Sequence, residues 1–212
     1  MHDIATLTLP QRLYLLSWDR ERKRFTGSGE RDLLLRAGAL AELLLAGLLK
    51  DDDGRVAVVS GAKPPADPFL AEVLAQVEAG KPRKWQHWVN HRARRAPQAV
   101  RDQLAAGRWV SVEPRRLLGV FPADRVVARD PRAVRKLTDA ATAALRAPRA
   151  DTVPAAEAAA AALAATVLLR TVVSRREARA RRERIQTLGA RIAPVPTALR
   201  KAVAGRHAAA AS

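Results

Sequence analysis

Residues 31–50, RDLLLRAGALAELLLAGLLK, constrain the fold more than any other stretch. Leu33, Leu34, Leu35, Leu40, Leu43, Leu44, Leu45, Leu48 and Leu49 cover nearly the whole circumference of a helix whose only interior charges are Arg36 and Glu42. A helix that is apolar all round must be surrounded by protein or by lipid. Lipid is the weaker choice. The run is slightly short for a bilayer span, and each central charge would add about 2.5 to 3.5 kcal/mol to insertion. The segment is therefore read as the central helix of a soluble core. Arg36 then needs an account, because a guanidinium on such a helix either pairs internally or opens towards an anionic ligand.

No Ser/Gly-rich linker divides the 212 residues, which predicts one domain over 7–205 followed by a disordered tail at 206–212. Cysteine is absent, which removes disulfides, thiolate metal sites and thiol nucleophiles. MHDIATLTLPQRL has no basic start followed by an apolar run, so no signal peptide is expected and the chain reads as cytoplasmic. The net charge is +17, and arginine supplies 31 of the 38 basic residues. A surface this basic seeks polyanions, meaning nucleic acid or anionic membrane.

In chain order, TLPQRLYLLSW predicts a short amphipathic helix behind a Thr8 cap, and DRERKRFTGSGERD a charged loop with room for a short strand pair. Gly47 and the turn Asp51-Asp52-Asp53-Gly54 end the central helix, and RVAVV at 55–59 reads as a strand. Asp67-Pro68 opens a helix with the stripe Phe69, Leu70, Val73, Leu74 and Val77. The following segment interleaves Trp85 and Trp88 with basic residues; the tryptophans are expected half-buried, with the charges on the opposite face. His87 and His91 stand one helical turn apart, a spacing that can bind zinc, but Trp88 occupies the place where a metalloprotease motif needs glutamate. They are read as surface histidines, with no metal and no cofactor.

LAAGRWVSVEPRRLLGVFP repeats the order helix end, glycine, strand, turn, strand, and so predicts a second hairpin. Its returning strand puts Leu118 and Val120 on one face and Leu117 and Phe121 on the other, an arrangement that must be buried, shared with a partner chain or inserted in lipid. The C-terminal third reads as helices: one from Asp130-Pro131 to Pro148, an alanine-rich one over 155–173 lying beside the central helix, an arginine-rich one behind a Ser174 and Glu177 capping box, and a last one after Pro196. The fold class is mainly α, a single-domain helical bundle with one or two short β-hairpins.

LTLPQRLYLL near the start, LLLRAGALAELLLAGLL, the 85–101 segment, LLGVFP and ATVLLRTVV with its arginine-rich sequel resemble, in that order, the Golgi phosphoprotein 3 family over nearly the whole chain. The most specific parts are L-T-L and L-R-x-G/A-x-L-x-E-L-x-L-x-G. The resemblance implies a helical bundle wrapped by amphipathic helices, with a projecting hairpin. It implies peripheral binding of phosphatidylinositol 4-phosphate or a similar anionic phospholipid, oligomerisation, and a bacterial member without the vesicle-coat role. Arg36 and Arg101 match two headgroup arginines; Gln98 stands where the family has a third. Gly27 stands where the family has a tryptophan, with Phe25 the nearest aromatic. The membrane and oligomer hairpin corresponds to 115–126, with Leu117, Leu118, Val120 and Phe121.

Two further classes compete with a peripheral membrane protein at the inner face of the membrane. A winged-helix nucleic-acid binder shares the order helix, strand, acidic turn, strand, although its recognition helix would be leucine and alanine, with few side chains able to read base edges. An enzyme finds no support: there is no phosphate loop, no nucleophile motif and no histidine and carboxylate cluster of recognisable spacing.

Overall fold

The computed structural model describes residues 3–27, 29–117 and 121–211, and only the backbone of 114–117 and 121–124. Helix α1 (Leu9–Leu16) has Pro10 in its first turn, and the Gln11 side chain accepts from the Thr8 N–H at 3.1 Å. Two short strands, β1 (Trp18–Asp19) and β2 (Arg24–Phe25), pair antiparallel within the charged loop. They lead into the central helix α2 (Arg31–Leu45).

The leucine pattern continues past the end of α2, and the helix does not. Gly47 takes φ +69°, its N–H donates to Leu44 O at 3.1 Å, and Leu48 N–H donates to Leu43 O at 2.9 Å. This is a Schellman ending, which satisfies the last carbonyls once a glycine accepts the left-handed conformation. Leu49 is then buried from a strand, β3 (Leu49–Asp52), which pairs with β4 (Arg55–Val58). A two-residue β5 (Arg83–Lys84) adds to the far side of β4.

Around α2 pack α1, α3 (Pro68–Glu78), α4 (Trp85–Asn90), α5 (Ala96–Ala106), α7 (Ala155–Thr166) and α10 (Val195–Ala211). Leu33, Leu35, Leu40 and Leu43 are fully buried. Each such side chain contributes about 1.5 to 3 kcal/mol of hydrophobic stabilisation. The crossing with α1 is tight: a Cβ on Gly38 would stand 2.7 Å from Leu13 Cδ1. Enclosure of α2 on all sides removes the winged-helix reading, because the helix that would enter a groove has no free face.

Trp85 and Trp88, expected half-buried, are both 3 % exposed. The 85–101 segment forms α4, a tight turn over Ala93–Arg95 and the first part of α5, and α10 packs across α4. Trp85 donates its indole N–H to Asp51. The second hairpin is β6 (Val110–Leu117) and β7 (Phe121–Ala128), in register from Val110 opposite Ala128 to Leu117 opposite Phe121.

Beyond it, α6 (Pro131–Arg146) packs on α7, and α7 lies beside α2. Helix α7 stops at Thr166 although the apolar run continues to Val173: Leu168 turns left-handed at φ 53°, and Leu169 N–H donates to Ala164 O at 2.9 Å. Ser174 and Glu177 cap α8 (Arg175–Ala180), followed by α9 (Arg182–Gly189). The residues after 205, expected as a disordered tail, continue α10 to Ala211. They are held by Arg206, whose guanidinium reaches both oxygens of Asp32 at 2.6 and 2.8 Å.

Candidate functional site

Arg36 is 2 % exposed, and of the two courses open to it in the sequence it takes the first, pairing internally. Its partners are polar but uncharged. Nε and Nη2 donate to the carbonyl of Trp88 at 3.3 and 3.2 Å, and Nη1 donates to Gln76 Oε1 at 3.0 Å. Gln76 in turn donates to Glu72 at 2.7 Å. Burial lowers the Arg36 pKa to about 10, with Glu72 opposing and Arg92 assisting, so the group stays charged at neutral pH. Glu42, the other interior charge, accepts the Leu9 N–H at 2.6 Å. The guanidinium therefore ties α2 to α3 and α4.

Phe25 and Arg101 lie elsewhere, with Tyr14. The Phe25 ring is 4.8 Å from Tyr14 and 4.9 Å from Trp18. Over the Tyr14 and Phe25 rings, at 5.6 and 5.5 Å, lies the guanidinium of Arg31. Burial raises the Tyr14 pKa, while the charges of Arg31 and Arg101 both oppose the rise. Arg101 also meets Asp102 at 3.0 Å. Phe25 thus shares the Tyr14 ring with Arg31, a residue the sequence reading passed over, while Arg101 comes from α5, which packs on α1.

Arg31 Nη2 donates to Thr26 O at 2.7 Å, but its Nε is buried without an acceptor. Burial lowers its pKa. An orphaned charged donor is costly, by about 1 to 3 kcal/mol or more, unless something occupies the place of water. Beside it a pocket of 160 Å³ is lined by Thr26, Gly27, Glu30, Leu34 and Leu169. Gly27, at φ +67°, stands 3.3 Å, measured from an added Cβ, from the Leu169 side chain, so Leu169 fills the space next to it. One signal for Arg31 was present in the sequence. A cation at the first residue of a helix faces the positive end of the helix dipole and needs a reason to be there.

Strand β7 packs against β2, so the second hairpin adjoins the strand that carries Phe25. Of the hairpin residues expected to enter a membrane, Leu118 and Val120 lie outside the described residues, and only the backbone of Leu117 and Phe121 is described. His87 and His91 stack at 5.7 Å, and among the described residues no group of three metal-ligating side chains occurs. No helix among the described residues is long and apolar enough to cross a membrane.

A buried leucine-rich helix ringed by others, with Arg31 lying over two aromatic rings at its start, defines a mainly α helical bundle. A family model for Golgi phosphoprotein 3 (GPP34) matches residues 9–205. The chain belongs to the Golgi phosphoprotein 3 family. Membership is consistent with lipid binding at the level of the family. No curated protein matches the chain.

Proposed function

We propose that this chain is a cytoplasmic protein that binds peripherally at the inner face of the membrane, taking the phosphate of an anionic lipid headgroup at the corner of Arg31, Arg101 and Phe25. The observation that carries the proposal is the orphaned Nε of Arg31, a charged donor held on two aromatic rings beside a pocket, one of those rings being the Tyr14 phenol that also feels the charge of Arg101. Guanidinium forks match phosphate oxygens bidentately, and several basic residues near an anionic surface contribute about 1 kcal/mol each. Family membership and the net charge of +17 support the same reading. The second hairpin, through Leu117, Leu118, Val120 and Phe121, supplies apolar insertion and a contact for a second copy. Arg36 acts from beneath, fixing α3 and α4 against α2.

Vesicle flotation tests this reading. Binding to vesicles with phosphatidylglycerol or phosphatidylinositol 4-phosphate should be strong at low salt and collapse as salt rises. An Arg31→Gln and Arg101→Gln double variant should lose about tenfold or more in affinity while staying folded by circular dichroism. Equal binding of the unaltered protein to neutral and anionic vesicles would sink the proposal.

A further inference from the structure

A second concavity, of 330 Å³, lies between the end of α3 and α4, bordered by Gln76, Gly80 and Trp88 and by five basic side chains. Those five are Lys81, Arg83, His87, His91 and Arg92. We infer that this bowl is a second anion site, built for a phosphate ester and separate from the corner of Arg31 and Phe25. The ionisable side chains lining it are all basic, and no carboxylate borders it. Among the described residues Lys81, Arg83 and Arg92 have no acidic partner within ion-pair distance, whereas Arg22, Arg101, Arg135, Arg146, Arg149 and Arg206 each have one.

The charge continues beneath the rim. Buried Arg36 holds two of the bordering residues from below, Gln76 through its side-chain oxygen and Trp88 through its carbonyl. Burial first, and then the charge of Arg36 at His91 and of Arg83 at His87, lower both histidines below their ordinary value. Like charges gathered in a concave, partly desolvated place repel one another, and a bound anion relieves the repulsion. Trp88 supplies an independent sign. It is 3 % exposed, it forms part of the wall, and its indole N–H is buried with no acceptor. Arginine and lysine with free imidazoles provide the donors that a phosphate accepts from, while the absence of a carboxylate disfavours a metal or a cationic ligand.

The chemistry fits a soluble phosphate ester and a lipid headgroup alike, and one experiment separates the two. The full chain is titrated with inorganic pyrophosphate, and in parallel with nanodiscs containing phosphatidylglycerol, while the Trp88 indole N–H and the His87 and His91 ring resonances are followed by NMR. A saturable shift of these signals with pyrophosphate assigns a soluble phosphate, and a shift with nanodiscs alone assigns a headgroup; either supports the site. Arg83 and Arg92 are exposed, so an Arg83→Gln and Arg92→Gln double variant should stay folded and bind about tenfold or more weakly. The Arg31→Gln and Arg101→Gln variant should keep the shift, whatever it does in flotation. No saturable shift in either titration, or one undiminished in the Arg83 and Arg92 variant, overturns the inference.

Discussion

Arg31 and Arg36 sit five residues apart on one helix and lead opposite lives. At 3.6 residues per turn they point about 140° apart, so one faces α1 and the other α3 and α4. Arg36 is closed off, with three donated hydrogen bonds to uncharged oxygens. Arg31 is half-buried, lies on aromatic faces that offer no hydrogen bond, and keeps one donor unmatched. The difference teaches that burial alone does not mark a functional arginine. A guanidinium whose forks are spent on the protein's own carbonyls is a strut; one left short of acceptors is prepared for something that arrives later.

The largest expected effect comes from breaking the strut. Arg36→Ala removes three bonds, leaves the buried Trp88 carbonyl without those donors and opens a cavity, and should cost about 3 kcal/mol or more. For a chain of this size that is a fall of about 6 to 12 °C in the melting temperature, read by calorimetry. A change within about 1 kcal/mol would mean that water replaces the guanidinium at little cost, and the comparison with Arg31 would lose its basis.

Arg31→Met should separate stability from binding. The thioether keeps some packing on Tyr14 and Phe25, and the variant loses one bond to Thr26 and two cation-π contacts, about 1 kcal/mol in all. Relief of a desolvated charge offsets part of that. The melting temperature should move by about 3 °C or less, whereas vesicle affinity should fall clearly. A variant that unfolds as far as Arg36→Ala would show that both arginines are struts.

These contrasts show what the sequence could and could not disclose. The leucines of 33–43 reveal the central helix because no other environment tolerates them, and its neighbour α7 follows from the same logic. The ends of both helices are less legible, since Gly47 and Leu168 break the helix while apolar residues run on into a strand and a turn. Arg36 stands out as a lone charge, but its main partner is a backbone carbonyl 52 residues away, and a carbonyl leaves no mark on a sequence. Phe25 and Arg101 were legible only through the family resemblance. Arg31 left one mark, a cation at the positive end of a helix dipole, but its meaning depends on Tyr14 and Phe25 arriving from other elements. Arg206 was hidden, in a tail whose alanines gave no hint of the ion pair with Asp32.

The smallest effect concerns Glu42, the acidic charge in the interior of α2. Glu42 lies eleven residues from Arg31, about three turns, and so shares its face towards α1. Burial raises its pKa above the ordinary 4.5, while the Leu9 N–H and the charge of Arg12 oppose the rise and Asp67 adds to it. A raised pKa means that the folded state binds more protons than the unfolded state between the two values. The contribution of Glu42 is thus fully present below the unfolded value and is lost as pH rises through the folded one. Glu42→Gln keeps an acceptor for Leu9 and removes the buried charge, so at neutral pH it should be neutral or slightly stabilising, within about 1 kcal/mol. Melts of the two proteins compared from pH 4 to 7 should show the unaltered chain losing ground to the variant as pH rises. The opposite slope would mean that Glu42 is held charged by a cation, with Arg12 outweighing burial, and that the α1 face of the helix is organised around an ion pair after all.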